Sequence, residues 1–207
     1  MHVKVCGITT YKDAQYAIDC GATYLGFIVY KKSPRYCSPE TITHIISKLN
    51  CACNYVGVFV NESIDTINQI VQTTGLTHVQ LHGDESPDSC RQVNRHVIKA
   101  LRIRSQDDLM VINDYSDTVE AVLLDTFVDG KFGGTGLPFD WTLTKHLPTD
   151  TCPIFLSGGL TSHSVQRAID IVKPFGVDVS SGVERLPGIK DHNKLKQFIS
   201  AALSHPL

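Results

Sequence analysis

Along this chain the apolar pattern switches repeatedly between short dense runs and stretches in which apolar residues recur at helical spacing. That alternation is what most restricts the fold, because it marks successive βα units. The dense runs read as eight strands: His2–Cys6, Tyr24–Tyr30, Tyr55–Val60, Thr77–Leu81, Val97–Leu101, Ala121–Leu124, Pro153–Leu156 and Gly176–Ser180. Between them, Ile42, Ile45, Ile46 and Leu49 fall on one helix face, as do Val165, Ala168, Ile169 and Val172, and then Leu195, Phe198, Ile199 and Ala202. Further helices are predicted at about Lys12–Cys20, Ile64–Val71, Pro87–Val93, Gln106–Asn113 and Trp141–Lys145. Thr9 or Thr10 can cap the first of these, with Asp13 placed as in a capping box and Gly21 ending it. Ser38-Pro39-Glu40 supplies a cap, a first-turn proline and an acidic first turn for the next.

Eight short strands alternating with helices require a parallel sheet covered on both faces, and 207 residues suffice for one compact (β/α)8 TIM barrel spanning 1–207 as a single domain. An open doubly wound sheet is the alternative. It would call for a Gly-rich turn after the first strand, where Cys6-Gly7-Ile8-Thr9 offers one glycine and no Gly-x-Gly-x-x-Gly follows.

Composition narrows the partners. Lysine and arginine number 19 against 21 acidic residues, so no global basic field exists to draw nucleic acid or acidic lipid. Apolar stretches are far shorter than the ~18 residues of a membrane span. The N-terminus has no basic region leading into an apolar run and a cleavage site, so a cytoplasmic product is expected. The 7 cysteines are an odd, scattered set without Cys-x-x-Cys, which argues against a disulfide framework. Cys51-Ala-Cys53 is closely spaced but has no second ligand pair for zinc.

In a barrel the chemistry lies where the strands end. The polar groups found there are Cys6, the loop Lys31-Lys32-Ser33-Pro34-Arg35, Asn61, His82, Arg102, Asp125, Ser157-Gly158-Gly159 and Ser180-Ser181-Gly182. The small residues after strands seven and eight can present backbone N–H groups to a phosphate, especially with a short helix starting near Val183. The plainer reading is that these glycines only turn the chain. Cys6 precedes a Gly turn and a helix, where N–H dipoles can lower a thiol pKa and expose a thiolate as base; an inert buried cysteine is the rival. Asp125 closes an apolar run, and partial desolvation there would suit a general acid, against a simple capping role. His82 can orient a substrate or serve as a structural hydrogen bonder. Arg35 can grip a carboxylate through two nitrogens or be a solvated loop charge. The loop from Thr126 to Gly136, with Gly130, Gly133, Gly134 and Gly136, reads as a lid or as a plain surface loop.

Taken together, Lys4-Val5-Cys6-Gly7-Ile8-Thr9, Gly26-Phe27 through Ser33-Pro34-Arg35-Tyr36, Val56-Gly57-Val58-Phe59-Val60-Asn61 and Val79-Gln80-Leu81-His82-Gly83 carry a resemblance that continues to the end of the chain. It runs on through Leu123-Leu124-Asp125, Gly133-Gly134-Thr135-Gly136, Phe139-Asp140-Trp141, Ser157-Gly158-Gly159-Leu160, the run from Val177 to Glu184, and Pro187-Gly188-Ile189-Lys190-Asp191. These segments resemble the phosphoribosylanthranilate isomerases of tryptophan biosynthesis. The resemblance implies a (β/α)8 barrel that rearranges N-(5-phosphoribosyl)anthranilate to 1-(o-carboxyphenylamino)-1-deoxyribulose 5-phosphate, with no cofactor and no metal. It implies Cys6 as general base, Asp125 as general acid and Arg35 as holder of the anthranilate carboxylate. His82, Gly158, Gly159, Ser180, Ser181 and Gly182 join them as substrate-binding residues. Leu137-Pro138 departs from the lysine frequent after Gly-Gly-Thr-Gly, so the lid's contacts differ.

The implied partner is a phosphorylated small molecule, with no nucleic acid and no membrane, and the assembly a monomer or homodimer. Two other classes remain: a barrel that binds a sugar phosphate without turnover, and a metal-dependent epimerase. The first would be expected to lose Cys6 or Asp125. The second needs a richer set of strand-end ligands than His82 and Asp125.

Overall fold

A computed structural model describes residues 1–126, 140–147 and 152–204. Its strands are β1 (His2–Cys6), β2 (Tyr24–Ile28), β3 (Asn54–Phe59), β4 (His78–Leu81), β5 (His96–Ile103), β6 (Ala121–Thr126), β7 (Ile154–Leu156) and β8 (Gly176–Val179). They pair in chain order, all parallel, and β8 returns to β1 through Val3 with Val177 and Lys4 with Asp178, which closes the barrel. The (β/α)8 expectation is met and the open sheet is set aside. The predicted lid from Thr126 to Gly136 lies, beyond Thr126 itself, outside the described residues, as does the Leu137-Pro138 departure.

The helices are α1 (Tyr11–Asp19), α2 (Pro39–Lys48), α3 (Ile64–Thr74), α4 (Pro87–Arg91), α5 (Gln106–Met110), α6 (Ile112–Tyr115), α7 (Val165–Val172) and α8 (His192–Leu203). Ser38, Ser63 and Ser86 each accept from a backbone N–H in the first turn of α2, α3 and α4, and such caps are worth about 1 kcal/mol apiece. Thr10, rather than Thr9, caps α1, accepting from the Asp13 N–H at 3.1 Å. The other half of the expected capping box is absent. The Asp13 carboxylate instead accepts from His192 Nε2 at 2.9 Å and the Lys190 N–H at 3.3 Å, tying the start of α1 to the start of α8.

Several boundaries move for local reasons. Strand β2 stops at Ile28 rather than Tyr30, because the chain turns where the Ser33 N–H bonds to the Tyr30 carbonyl. Strands β5 and β6 outrun their expected ends, because Arg102 and Ile103 keep pairing with Asp125 and Thr126. The predicted helix Gln106–Asn113 breaks at Val111 into α5 and α6, which lets Leu109 and Ile112 both turn into the core. Trp141–His146 is a 3-10 helix, and the helix expected near Val183 is a single 3-10 turn, Ser181–Val183, that ends there. It leads into a hairpin that the apolar pattern did not announce, β9 (Glu184–Leu186) and β10 (Ile189–Lys190).

Alternate residues of each strand face the barrel axis. Near the N-terminal end the interior is filled by an apolar cluster of Tyr24, Val56, Ile98, Ala100, Ala121, Leu123 and Phe155. Above it the inward positions turn polar, with Lys4, Gln80 and Asp178, and then Cys6, His82, Asp125, Ser157 and Ser180. A larger apolar shell of strand and helix side chains surrounds the barrel.

Candidate active site

Cys6 is the last residue of β1 and is buried, its position opposite Gly26 of β2. A Cβ at Gly26 would stand 2.8 Å from Cys6 Sγ, so glycine there makes room for the thiol. The expected lowering of its pKa does not hold in the unliganded barrel. Burial pushes the Cys6 thiol up, and although the Lys4 and Lys190 ammonium groups pull it down, the Asp178 carboxylate sides with burial.

Asp125 sits on the inward face of β6, buried, with Oδ1 accepting from the Thr126 N–H at 2.8 Å. Its Oδ2 lies 3.3 Å from His82 Nε2, close but without hydrogen-bond alignment, since that nitrogen has no partner by direction. His82 is in turn held from behind, with its Nδ1 2.8 Å from Gln80 Nε2. In this arrangement Nδ1 accepts and Nε2 carries the proton toward Asp125. Reversing the Gln80 amide would place the proton on Nδ1 and leave Nε2 free to accept from a protonated Asp125. The buried Gln80 Oε1 has no partner, so the alternative orientation forfeits no bond.

A small cleft of about 30 Å³ opens beside Asp125, lined by Ser157, Gly158, Gly159 and Leu160 after β7 and by Asp178 through Gly182 at the end of β8. Gly158 and Gly159 have φ of 87° and 65°, a left-handed pair that turns the chain sharply over the cleft. A side chain at Gly158 would strike Thr126, so only glycine lets this backbone approach the acid. Ser180, at the end of β8, has its Oγ buried beside Gly7 without a partner among the described residues. A wider cavity of about 510 Å³ lies between Thr10 to Asp13 and Arg185 to Asn193. Chemistry follows the strand-end residues rather than the volume.

Arg35 is not a solvated loop charge. Its Nε bonds to both oxygens of Glu184 at 2.9 and 3.0 Å, and Nη2 bonds to Oε2 at 2.8 Å. Glu184 is held below the usual carboxylate range because Arg35 and Lys190 outweigh its burial. One edge of the guanidinium is thus fixed, and the end formed by Nη1 and the second Nη2 hydrogen remains for a planar anion. Asn61 and Arg102 have local partners instead: the Asn61 N–H bonds to Glu85 at 2.8 Å and Arg102 Nη2 to Asp84 at 2.8 Å.

The site also contains groups that had no assigned role in the sequence: Lys4, Gln80, Asp178, Glu184 and Lys190. Lys4 Nζ bonds to Asp178 Oδ1 at 2.8 Å, and Ser157 Oγ donates to Asp178 Oδ2 at 2.9 Å. Lys190 Nζ bonds to Glu184 at 2.9 Å and to the Cys6 carbonyl at 2.5 Å. For Lys4, Gln80 and Asp178 the signal was a charged or amide residue at an inward position of an otherwise apolar strand; Glu184 and Lys190, on the β9–β10 hairpin, had none.

With this geometry established, known proteins can be compared. Residues 3–201 match the family model described as N-(5'-phosphoribosyl)anthranilate (PRA) isomerase. The N-(5'-phosphoribosyl)anthranilate isomerase of Trichlorobacter lovleyi is 46% identical over 200 residues, covering 97% of each chain. The crystal structure of phosphoribosyl anthranilate isomerase from Thermotoga maritima superposes with a TM-score of 0.90 at 39% identity, over 99% of this chain and 100% of that one. A structure of such an enzyme bound to reduced 1-(o-carboxyphenylamino)-1-deoxyribulose 5-phosphate gives a TM-score of 0.87 at 39% identity over 99% of this chain and 100% of that one. With two lysines, an arginine and two carboxylates arrayed behind Cys6, and an acid set against a glycine-walled cleft, the barrel and its match over nearly the whole length agree: the chain belongs to the phosphoribosylanthranilate isomerase family.

Proposed function

We propose that this chain catalyses the rearrangement of N-(5-phosphoribosyl)anthranilate to 1-(o-carboxyphenylamino)-1-deoxyribulose 5-phosphate, in tryptophan biosynthesis in the cytoplasm, as a monomer or homodimer. The observation that carries this reading most directly is that Asp125 lines the same cleft as the Gly158-Gly159 and Ser180-Gly182 backbone. A sugar phosphate anchored there places its ribose next to a carboxyl group. The unpartnered Ser180 hydroxyl and the backbone of Gly159, Ser181 and Gly182 would hold the phosphate.

Ring opening needs a proton on the ribose ring oxygen, which Asp125 supplies in its protonated form. The ring C–O bond breaks, and the anilinic nitrogen's lone pair forms a C=N bond, giving a protonated Schiff base. Its positive charge acidifies C2′, and the Cys6 thiolate removes that proton to leave the enolamine. Tautomerisation then yields the aminoketose. His82, braced by Gln80, orients the Asp125 carboxyl and follows its protonation by switching tautomer. The anthranilate carboxylate rests on the Nη1 and Nη2 end of Arg35, whose other edge Glu184 immobilises. No helix of the described residues is long and apolar enough to cross a membrane.

The test is to generate phosphoribosylanthranilate in place, add the purified chain and follow the loss of anthranilate-type fluorescence. A rate no faster than the uncatalysed one, from protein that melts cooperatively, would overturn the reading.

A further inference from the structure

A lysine with no exposed surface inside a barrel calls for an explanation. Lys4 lies two residues before Cys6 on β1, so both side chains point to the barrel axis, and the Lys4 side chain is 0% exposed. Its ammonium bonds to Asp178 Oδ1 at 2.8 Å. A buried ion pair is weak evidence for stability, because an apolar pair of the same volume often does as well. An ammonium also has three hydrogens, and one carboxylate contact leaves two to be placed in a buried site.

The next side chain along the same inward row is Cys6, and the Lys4 ammonium and the Cys6 thiol act on each other electrostatically. We propose that Lys4 is the positioning cation of the Cys6 thiolate: a buried ammonium, fixed on Asp178, that donates to Sγ and supplies the charge against which the base ionises. This rests on the reading of Cys6 as the base. A thiolate in a closed barrel has lost its water, and a fixed positive dipole or charge must replace it.

The other groups around Cys6 sharpen the choice of Lys4. β2 presents only Gly26, β8 presents Asp178, and the hairpin presents Lys190, itself paired with Glu184, which also holds Arg35. Lys190 makes its contact with the Cys6 carbonyl rather than the sulfur, and burial pushes its pKa down despite Glu184. Lys4 goes the other way: burial opposes its charge, but Asp178 and Cys6 together hold the ammonium above its ordinary value.

The experiment titrates Cys6 itself. Thiolate ultraviolet absorbance is followed against pH in the wild type, Lys4→Met and Asp178→Asn, each corrected by the same protein carrying Cys6→Ser, with near-ultraviolet circular dichroism as the check on folding. Lys4→Met keeps the stem and removes the charge, and should lower the acid dissociation constant of Cys6 about tenfold or more. Asp178→Asn removes the competing anion and should raise it, a shift of opposite sign that loss of packing cannot imitate. The acid limb of kcat/KM should follow the titration in both variants, with kcat falling more than KM rises in Lys4→Met. If Lys4→Met does not fold, Asp178→Asn decides alone. An unchanged Cys6 titration in a folded variant overturns the proposal. A shifted titration with an unmoved acid limb would overturn the assignment of Cys6 as base and leave the coupling between Lys4 and Cys6 standing.

Discussion

The two ends of the barrel solve the burial of polar groups in opposite ways. At the N-terminal end His2, Tyr24, His78, His96, Phe155 and Phe175 form a plug of ring contacts, with centroids 4.4 to 5.6 Å apart. Several of their polar atoms are partnered: His2 Nδ1 with Thr23 at 3.1 Å, His78 Nδ1 with Thr77 at 2.7 Å, and His96 Nδ1 with Glu120 at 2.6 Å. At the C-terminal end Gln80 Oε1, His82 Nε2, Thr126 Oγ1 and Ser180 Oγ are buried without partners among the described residues, as is Trp141 Nε1 in the 3-10 helix after β6. Orphaned polar atoms are rare because each costs roughly 1–3 kcal/mol, so their concentration at one end marks where a ligand completes the structure. One end is finished by folding, the other by substrate.

The largest effects should come from the acid and the base. Cys6→Ala and Asp125→Asn are each expected to lower kcat at least ~100-fold, the lower end of what a general acid or base contributes. Cys6→Ser should be almost as poor, because a hydroxyl does not ionise usefully near neutrality. Melting temperatures should stay close to the wild type, since neither side chain holds strands together. Steady-state kinetics with melting curves decide it, and near-normal turnover in any of the three removes that residue from its role.

Arg35 links the two kinds of burial, one edge satisfied by the fold and one left for a ligand. Arg35→Lys replaces a planar fork with a point charge that Glu184 alone can occupy. The substrate carboxylate does not change charge during the rearrangement, so the interaction is shared by ground and transition states. KM should rise about tenfold and more than kcat falls, a split that steady-state kinetics reads directly. An unchanged KM would mean that Glu184 is the guanidinium's whole purpose.

How much of this was legible in the sequence depended on the range of the interaction. The eight strands and the (β/α)8 order follow from local apolar runs, and Ser38-Pro39 caps its helix through a contact three residues away. Cys6, Asp125 and the two glycine loops could be found because a barrel puts its strand ends together. The pairing of Arg35 with Glu184 could not, because it joins residues 149 apart through a hairpin with no apolar signature. The same holds for Asp13, which as part of Tyr11–Asp19 looks like a capping residue and is in fact the tie to His192 across 179 residues. Lys4 and Asp178 break the apolar pattern of β1 and β8 at inward positions, a signal readable only once the strands are known to face an axis.

Ser180→Ala tests whether the orphans are held for a ligand. Removing a buried, unpartnered hydroxyl should stabilise the free protein by about 1 kcal/mol. In a chain of this size that raises the melting temperature by about 2–4 °C. The same change should weaken phosphate inhibition and raise KM several-fold, about the worth of one hydrogen bond to a charged group. Stability and binding moving in opposite directions is the expected signature. A loss of both would mean that Ser180 has a structural partner.

The smallest effect on turnover belongs to the other end. Burial holds His78 below its ordinary value, against the pull of Glu120 and with some help from His96, and burial together with the N-terminus lowers His2. Both are therefore neutral in the folded barrel where the unfolded chain would begin to bind protons, at about pH 6.5. Stability from this source is present above that pH and lost as the pH falls from there toward the lowered folded values, because the unfolded state binds more protons. His78→Gln should flatten the fall in melting temperature between about pH 7 and pH 5.5, while leaving kcat/KM at neutral pH within about twofold. The acid limb of the rate profile, set at the opposite end by Cys6, should not move at all. Melting curves and kcat/KM measured on the same protein across that range separate the two ends. A His78→Gln chain whose melting temperature falls as steeply as the wild type's would show that the plug does not govern acid stability, and one whose rate profile shifted would join what the barrel keeps apart.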